Sequence, residues 1–236
     1  MGVAQLHTEP PNGTGSKPFT LCVFCGSSEG NDPKFRDAAR ALANMMAKRS
    51  WSLVYGGGTM GLMGVLAGEV VALQGPDAVH GIIPRALLQG GSAPAFDQFG
   101  RTTVVASMHE RKRMMAEEAD AFVALPGGFG MLEELLEMTT WSQLGIHAKP
   151  VVVFNVSGFF DGLFGWMQTA IRFGFIPDAQ LGLIGQARTV EELVTSVTTR
   201  EVAPGRYTFL DWSSDDRHGN GQVKGATIDS ETVNSL

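Results

Sequence analysis

A doubly wound, mostly parallel α/β sheet is predicted by three features of the chain. Short apolar runs alternate with amphipathic stretches of helical spacing. Several of those runs end in glycine-rich turns, where a parallel sheet places its ligand sites. The chain has 236 residues, 44% of them hydrophobic, which suits one domain or a small pair with a core that needs no staples.

The elements follow in order. "FTLCVFCG" reads as a buried strand. "DPKFRDAARALANMMAKR" reads as a helix with Asp32 as N-cap and Pro33 at its first position. "WSLVYG" is a strand and "GTMGLMGVLAGEVVALQ" a helix, and "AVHGIIP" and "RTTVVA" are two further strands. "MHERKRMMAEEA" is a helix, "AFVALP" a strand, "MLEELLEMTTWSQLG" a helix and "KPVVVFNV" a strand. "FFDGLFGWMQTAIRFG" and "VEELVTSVTTR" close the series as helices. The result is a Rossmann-like fold with helices on both faces. Residues 1–17, rich in Pro, Gly, Thr and Asn, read as a disordered lead-in. Residues 18–202 form a single domain, and 203–236 a polar, flexible tail.

Composition removes several classes. A net charge of −6 argues against a nucleic-acid binder. No stretch reaches the length of a membrane span, and the N-terminus lacks the apolar core of a signal peptide. Leu6 stands where a myristoylation site favours Ser or Thr. The cytoplasm is the expected compartment. Cys22 and Cys25 have C-x-x-C spacing, but residues three apart on a strand face opposite ways, so both read as buried structural thiols.

Four strand ends carry the chemistry: Cys25–Gly30, Gly56–Gly64, Ser107–Lys112 and Pro126–Glu134. Gly56, Gly58 and Gly61 spell a G-x-G-x-x-G, but not after the first strand. The acidic partner expected about 20 residues on is replaced by Pro84 and Arg85, which leaves only NADP open beside a plain tight turn. "PGGFG" lets a backbone approach a ligand, and the first amides of the next helix lack internal partners. Together they make an anion site suited to phosphate. Glu133 and Glu137 share a helix face, while Glu134 is turned by about 100°. Their bland role is to stabilise the helix dipole; their chemical one is a carboxylate beside a sugar phosphate, where it activates water or stabilises an oxocarbenium ion. Arg111, Lys112 and Arg113 fan around one helix, either as a solvated face or as phosphate donors. His109 is a conceivable acid or base. No metal-ligand spacing and no G-x-S-x-G elbow is present, and Ser27 and Ser28 read as loop hydrogen bonders.

Taken together, "VFCGSS", "LVYGGGTMGLMG", "MHERK" and "PGGFGMLEELLEMTTWSQLGIHAKP" resemble the LONELY GUY family, cytokinin riboside 5′-monophosphate phosphoribohydrolases once widely labelled lysine decarboxylases. The resemblance runs from Phe19 to Ile176, about two-thirds of the chain. It implies a Rossmann-like fold, hydrolysis of the N-glycosidic bond of N6-modified AMP to free base and ribose 5-phosphate, and no metal or redox cofactor. The family signature P-G-G-x-G-T-x-x-E falls on Pro126, Gly127, Gly128, Gly130 and Glu134. The implied catalytic pair is Arg111 and Glu134. The implied substrate-binding positions are Lys112, Gly57, Gly127, Gly128, Phe129, Gly130, Met131, Glu133 and Thr140. Met131 departs from the signature's Thr and replaces a hydroxyl with a backbone N–H; one neutral hydrogen bond is worth on the order of 1 kcal/mol. The "QGGSAPAFDQFGRTT" stretch also departs from the family loop, and no residue is carried over from it. "TTWSQLGIHAKP" resembles the dimeric branch, which implies a homodimer with shared active sites.

The expected mechanism places the 5′-phosphate on the amides around Gly127–Met131, with the Gly56–Gly58 loop beside the ribose phosphate. Arg111 positions the ribose and Glu134 faces the breaking bond. Met63, Met108 and Met114 are either adaptable apolar surface for the base or core. Three other readings stay open: another nucleotide nucleosidase or phosphometabolite hydrolase with its substrate shifted by Met131, a non-catalytic nucleotide-binding module, and, weakest, a pyridoxal-phosphate decarboxylase.

Overall fold

A computed structural model of the chain describes residues 17–88 and 99–199, together with positions 202, 205 and 212. The expected lead-in, apart from Lys17, and the expected tail, apart from Gly205 and Trp212, lie outside the described residues. So does the 89–98 part of the divergent loop.

Among the described residues seven strands form one all-parallel sheet: β1 (Thr20–Phe24), β2 (Ser52–Tyr55), β3 (Val79–Pro84), β4 (Arg101–Val105), β5 (Ala121–Ala124), β6 (Val151–Phe154) and β7 (Ile184–Ala187). Their order is β4-β3-β2-β1-β5-β6-β7. The helices are α1 (Pro33–Lys48), α2 (Gly61–Gln74), α3 (Arg85–Leu88), α4 (Met108–Glu118), α5 (Phe129–Leu144), α6 (Asp161–Arg172) and α7 (Val190–Thr198). The chain winds outward from β1 to β4, then returns to pair β5 on the other side of β1 in parallel register, Phe24 beside Ala124. The topological switch point therefore lies between β1 and β5, and ligands bind beyond the carboxyl ends of strands at such a point.

β1 shows why the sheet is covered twice. Leu21, Val23 and Cys25 face a core built with α1, α2 and α7, while Cys22 and Phe24 face a second core built with α4, α5 and α6. The two cysteines are thus free, buried thiols on opposite faces. Burial raises the pKa of both and keeps them protonated. α1 begins as expected, with Asp32 Oδ1 accepting from the Lys34 amide at 3.0 Å. Ala38, Ala39 and Ala43 on its buried side let it approach α2 closely.

Three features differ from the sequence reading. β7 was not expected: Gly185 and Gln186 have poor strand propensity, and the segment becomes a strand only by pairing with β6. α3 is a four-residue turn after β3. α5 begins at Phe129, two residues earlier than its apolar pattern suggests, because Gly128 and not the last glycine is its N-cap. No helix among the described residues is long and apolar enough to cross a membrane.

His147 ties α5 to the start of β6. Its Nε2 lies 3.0 Å from the Met138 carbonyl, and its Nδ1 accepts from the Lys149 amide at 3.1 Å. Both contacts suit a neutral ring. Burial pushes its pKa down to about 4, against the opposing hydrogen bond to Met138. Above about pH 6.5 the folded and unfolded rings are both neutral. Below it the unfolded ring takes a proton that the folded one refuses, so stability falls as pH drops toward 4. Urea unfolding across that range is expected to show His147→Gln losing one proton's worth of this slope. Equal slopes in the two proteins would remove His147 from the acid limb.

Candidate active site

Two loops meet beyond the switch point. The Gly26 amide donates to the Pro126 carbonyl at 3.0 Å, and Leu125 N donates to Phe24 O at 2.9 Å. The loops approach so closely that side chains are barred. A Cβ on Gly26 would lie 2.9 Å from Ser28 O and 3.2 Å from Gly127 Cα, and one on Gly127 would lie 2.8 Å from Gly26 N. A third loop locks in from β2: Gly61, at φ +61°, would put a Cβ 2.2 Å from the Ser27 carbonyl carbon.

Gly128 and Gly130 behave differently. A Cβ on either would meet nothing among the described residues within 4 Å, and neither has a positive φ. Nothing in the packing of the described residues requires them to be glycine. They border a cleft of about 260 Å³, lined also by Cys25, Ser27, Gly56, Met63, Met108, Arg111 and Glu134. Beside it is a hollow of about 250 Å³ that shares Gly26, Ser27 and Gly128 and is closed by Phe35 and Phe159. α5 opens onto this space without a side-chain cap. Its first intrahelical amide bond is from Leu132 to Gly128 O, so the amides of Phe129, Gly130 and Met131 have no acceptor within the helix. No acidic residue occupies its first turn. Glu133 and Glu134 stand one turn in, which weakens their reading as dipole stabilisers, since that effect fades beyond the first turn.

The charged groups come from α4 and α5. Ser107 caps α4 by accepting from the Glu110 amide at 3.1 Å, and Arg111 follows at the first turn. Its Nη2 donates to Glu134 Oε1 at 2.8 Å, and Nη1 lies 3.7 Å from Met108 Sδ. Its Nε is buried with no hydrogen-bond partner among the described residues. Gly56 makes room for the guanidinium: a Cβ there would lie 2.1 Å from Arg111 Nη2. Arg111 is 8% exposed and Glu134 6%. Burial raises the pKa of Glu134, and Arg111 opposes that shift. Lys112, equally buried, contacts Glu133 and lies 2.9 Å from Glu137. Burial works to lower its pKa, but the hydrogen bonds to Glu133 and Glu137 raise it and keep it charged.

The expected residues divide accordingly. Arg111, Glu134, Gly128, Phe129, Gly130 and Met131 border the cleft, Met131 with its side chain in the core. Gly127 adjoins it and borders the neighbouring hollow. Lys112 and Glu133 pair with each other outside the lining. Gly57, at φ +73°, packs against Ile82 and Ile83. Thr140 donates to Leu136 O at 2.8 Å and lines a separate hollow with Gln143 and Trp166. His109 is exposed and borders a larger hollow of about 630 Å³ between α4 and α5, away from the Arg111–Glu134 contact. Met63 and Met108 line the cleft, whereas Met114 packs on the core. Gly56 was missed as the seat of the guanidinium. Its only signal was its place first in the "GGG" after a strand. No group of three or more His, Cys, Asp or Glu side chains among the described residues is arranged to hold a metal ion.

Fold and cleft define a class, the Rossmann-like proteins with a cleft over the switch point of a parallel sheet. Relatives narrow it. Residues 63–197 match the family described as "Possible lysine decarboxylase". The chain is 46% identical over 189 residues to a probable cytokinin riboside 5′-monophosphate phosphoribohydrolase of Oryza sativa subsp. japonica, covering 78% of this chain and 83% of that one. It is 47% identical over 212 residues to the bifunctional cytokinin biosynthesis protein of Fusarium pseudograminearum, covering 83% of this chain but only 43% of that longer protein. The molybdenum cofactor carrier protein of Chlamydomonas reinhardtii superposes with a TM-score of 0.57 at 18% identity, over 77% of this chain and 96% of that one. At that identity the likeness shows the fold alone. The chain belongs to the LONELY GUY family.

The two kinds of glycine give a direct test. Gly127→Ala and Gly61→Ala are expected to lower the unfolding temperature, because each forces a Cβ into backbone. Gly128→Ala and Gly130→Ala are expected to unfold like the parent, yet to bind AMP at least about tenfold more weakly in calorimetry. Parent-like AMP binding by both would show that no ligand approaches these positions.

Proposed function

We propose that the chain hydrolyses the N-glycosidic bond of N6-modified adenosine 5′-monophosphates, the cytokinin riboside monophosphates, releasing free base and ribose 5-phosphate. One observation carries the reading: a buried Arg111–Glu134 pair beside the uncapped, glycine-led start of α5. The plant relatives, cytokinin riboside 5′-monophosphate phosphoribohydrolases, support it.

The phosphate sits on the free amides of Phe129, Gly130 and Met131, where the helix dipole favours an anion. Arg111 brings its unused Nε–H to the sugar and holds Glu134 ionised against the burial that would protonate it. The C1′–N9 bond breaks with its electron pair leaving on the base. Glu134 stabilises the positive charge that develops on the ribose and orients a water. The water oxygen bonds to C1′, and a water proton is delivered to the departing base. Met63 and Met108 supply adaptable walls. No lysine among the described residues lines this cleft, which disfavours a decarboxylase that would need an amine for a Schiff base.

A second copy of the chain completes the site in this reading. α6 presents Gly162, Gly165, Trp166 and Thr169 along one face, at spacings of 3, 4 and 7 from Gly162, and Phe173 follows as its C-cap. Nothing among the described residues lies within 4 Å of a Cβ on either glycine. Trp166 is 55% exposed and Phe175 84%. Both line the hollow that contains Thr140, so docking there would bring Thr140 to an interface. The cytoplasm is the proposed compartment, in keeping with two free, buried thiols.

Glu134→Gln should retain AMP binding while its turnover of N6-isopentenyladenosine 5′-monophosphate falls by roughly 10²–10³ or more, as loss of a charge-stabilising group requires. Chromatography of the products, base with ribose 5-phosphate or inorganic phosphate, separates this activity from a phosphohydrolase. Near-parental turnover in the variant would sink Glu134's role. For the dimer, Trp166→Glu is expected to give a monomer by light scattering. A monomeric parent would refute the second-copy reading.

A further inference from the structure

Two consecutive cations on α4 meet carboxylates on α5 in two separate registers. Arg111 takes Glu134 inside the cleft. Lys112 takes Glu133 and Glu137, which are spaced i, i+4, outside it. Lys112 is 5% exposed, and its ammonium is already held by two carboxylates; it is not among the groups that line the cleft. A phosphate on the α5 amides would therefore meet Arg111 but not Lys112.

We propose that Lys112 is a positioning residue that acts on the reaction through Glu133, Glu137 and Glu134, without touching the nucleotide. This rests on the reading of Glu134 as the carboxylate that faces the breaking bond.

Glu133 precedes Glu134 in the chain, and Glu137 lies about one helical turn further on. Both repel the charge on Glu134, and Lys112 offsets them. The groups that bear on Glu134 are Arg111 and Lys112 from α4, Glu133 and Glu137 from α5, and the protonated thiols of Cys22 in β1 and of Cys25 just after it. With Lys112 in place, the outer trio carries one net negative charge; without it, two. Glu134 would then take up a proton more readily, and the enzyme would lose its working carboxylate at a higher pH. Lys112 also spans the gap between the helices and so keeps Arg111 in register with Glu134.

The sign is fixed in advance. In Lys112→Met the acid limb of kcat/KM should move to higher pH, by roughly half a unit or more. In Glu137→Gln it should move to lower pH, and Lys112→Met/Glu137→Gln should return toward the parent. The substrate is the same throughout, so its own phosphate ionisation cancels from the comparison. At pH well above the limb, KM for the monophosphate should change by less than about threefold. A tenfold or larger rise in KM with an unmoved acid limb would overturn the proposal and make Lys112 a phosphate ligand. Carbon-13 NMR titration of the Glu134 carboxyl, assigned with Glu134→Gln, reads the same shift without turnover. If the parent turns over no nucleotide monophosphate, the reading of the activity fails, but an upward shift in Lys112→Met would still support the coupling. A carboxyl titration unchanged in both Lys112→Met and Glu137→Gln would refute the coupling whatever the activity. Should Lys112→Met fold poorly, Glu137→Gln alone decides, because it keeps the lysine and one carboxylate partner.

Discussion

The contact between Gly26 and Gly127 is the constraint from which the site follows. Two neighbouring parallel strands end side by side, and their chains then turn toward opposite faces of the sheet. Here the turns cross within backbone contact, with Gly26 N on Pro126 O, so neither strand end can carry a side chain at the crossing. That contact places the start of α5 directly over the gap between β1 and β5. Gly61 then locks the loop after β2 against Ser27, and Gly56 on the same loop leaves the volume that Arg111 occupies. The position of the guanidinium is thus set by three backbone turns from three strands, and by α4 only in part.

Such an arrangement is poorly explained as a stabilising device. Burying an ion pair costs several kcal/mol per ion, which its own attraction repays only in part, and apolar residues of the same volume often serve stability better. The Arg111–Glu134 pair is single-contact, with the arginine Nε left without a partner among the described residues. A purely structural pair would satisfy that donor. An arginine held with an unused donor in a cleft, against a carboxylate whose pKa is raised by burial, is instead poised for a ligand that brings both negative charge and hydrogen-bond acceptors.

The strands other than β7, and the helices other than α3, were legible because their apolar runs are long and their caps explicit, as at Asp32 and Pro33. β7 was not, since Gly185 and Gln186 carry no strand signal and the pairing with β6 supplies it. The start of α5 was misplaced because periodicity marks where a helix becomes buried and not where it begins; Phe129, its first residue, is 94% exposed. Arg111 and Glu134 were legible by motif, and the structure brings them into contact. The contrast between Gly127, held by packing, and Gly128 and Gly130, facing open space, was not legible. All three are the same letter, and only the atoms around them separate the roles. Gly57 and Thr140 show the same limit: a motif carries identity, but it does not say which way a residue faces.

Met131 brings these points together. Its side chain enters the core beneath α5, near Leu135 and Met138, and it is 4% exposed. Gly127, without a Cβ, leaves the space it fills. What Met131 offers the cleft is its amide, and the amides of Phe129 and Gly130 are likewise independent of side chain. An anion site made of main chain tolerates substitution at the letters that spell it, provided the backbone path survives. The cleft walls have no such protection. Met63 and Met108 line the cleft as residues whose contribution is their side chains, so a single substitution there changes its shape. In the proposed function, recognition of the phosphate rests on the main chain, while discrimination among bases is left to a few flexible thioethers at its edge.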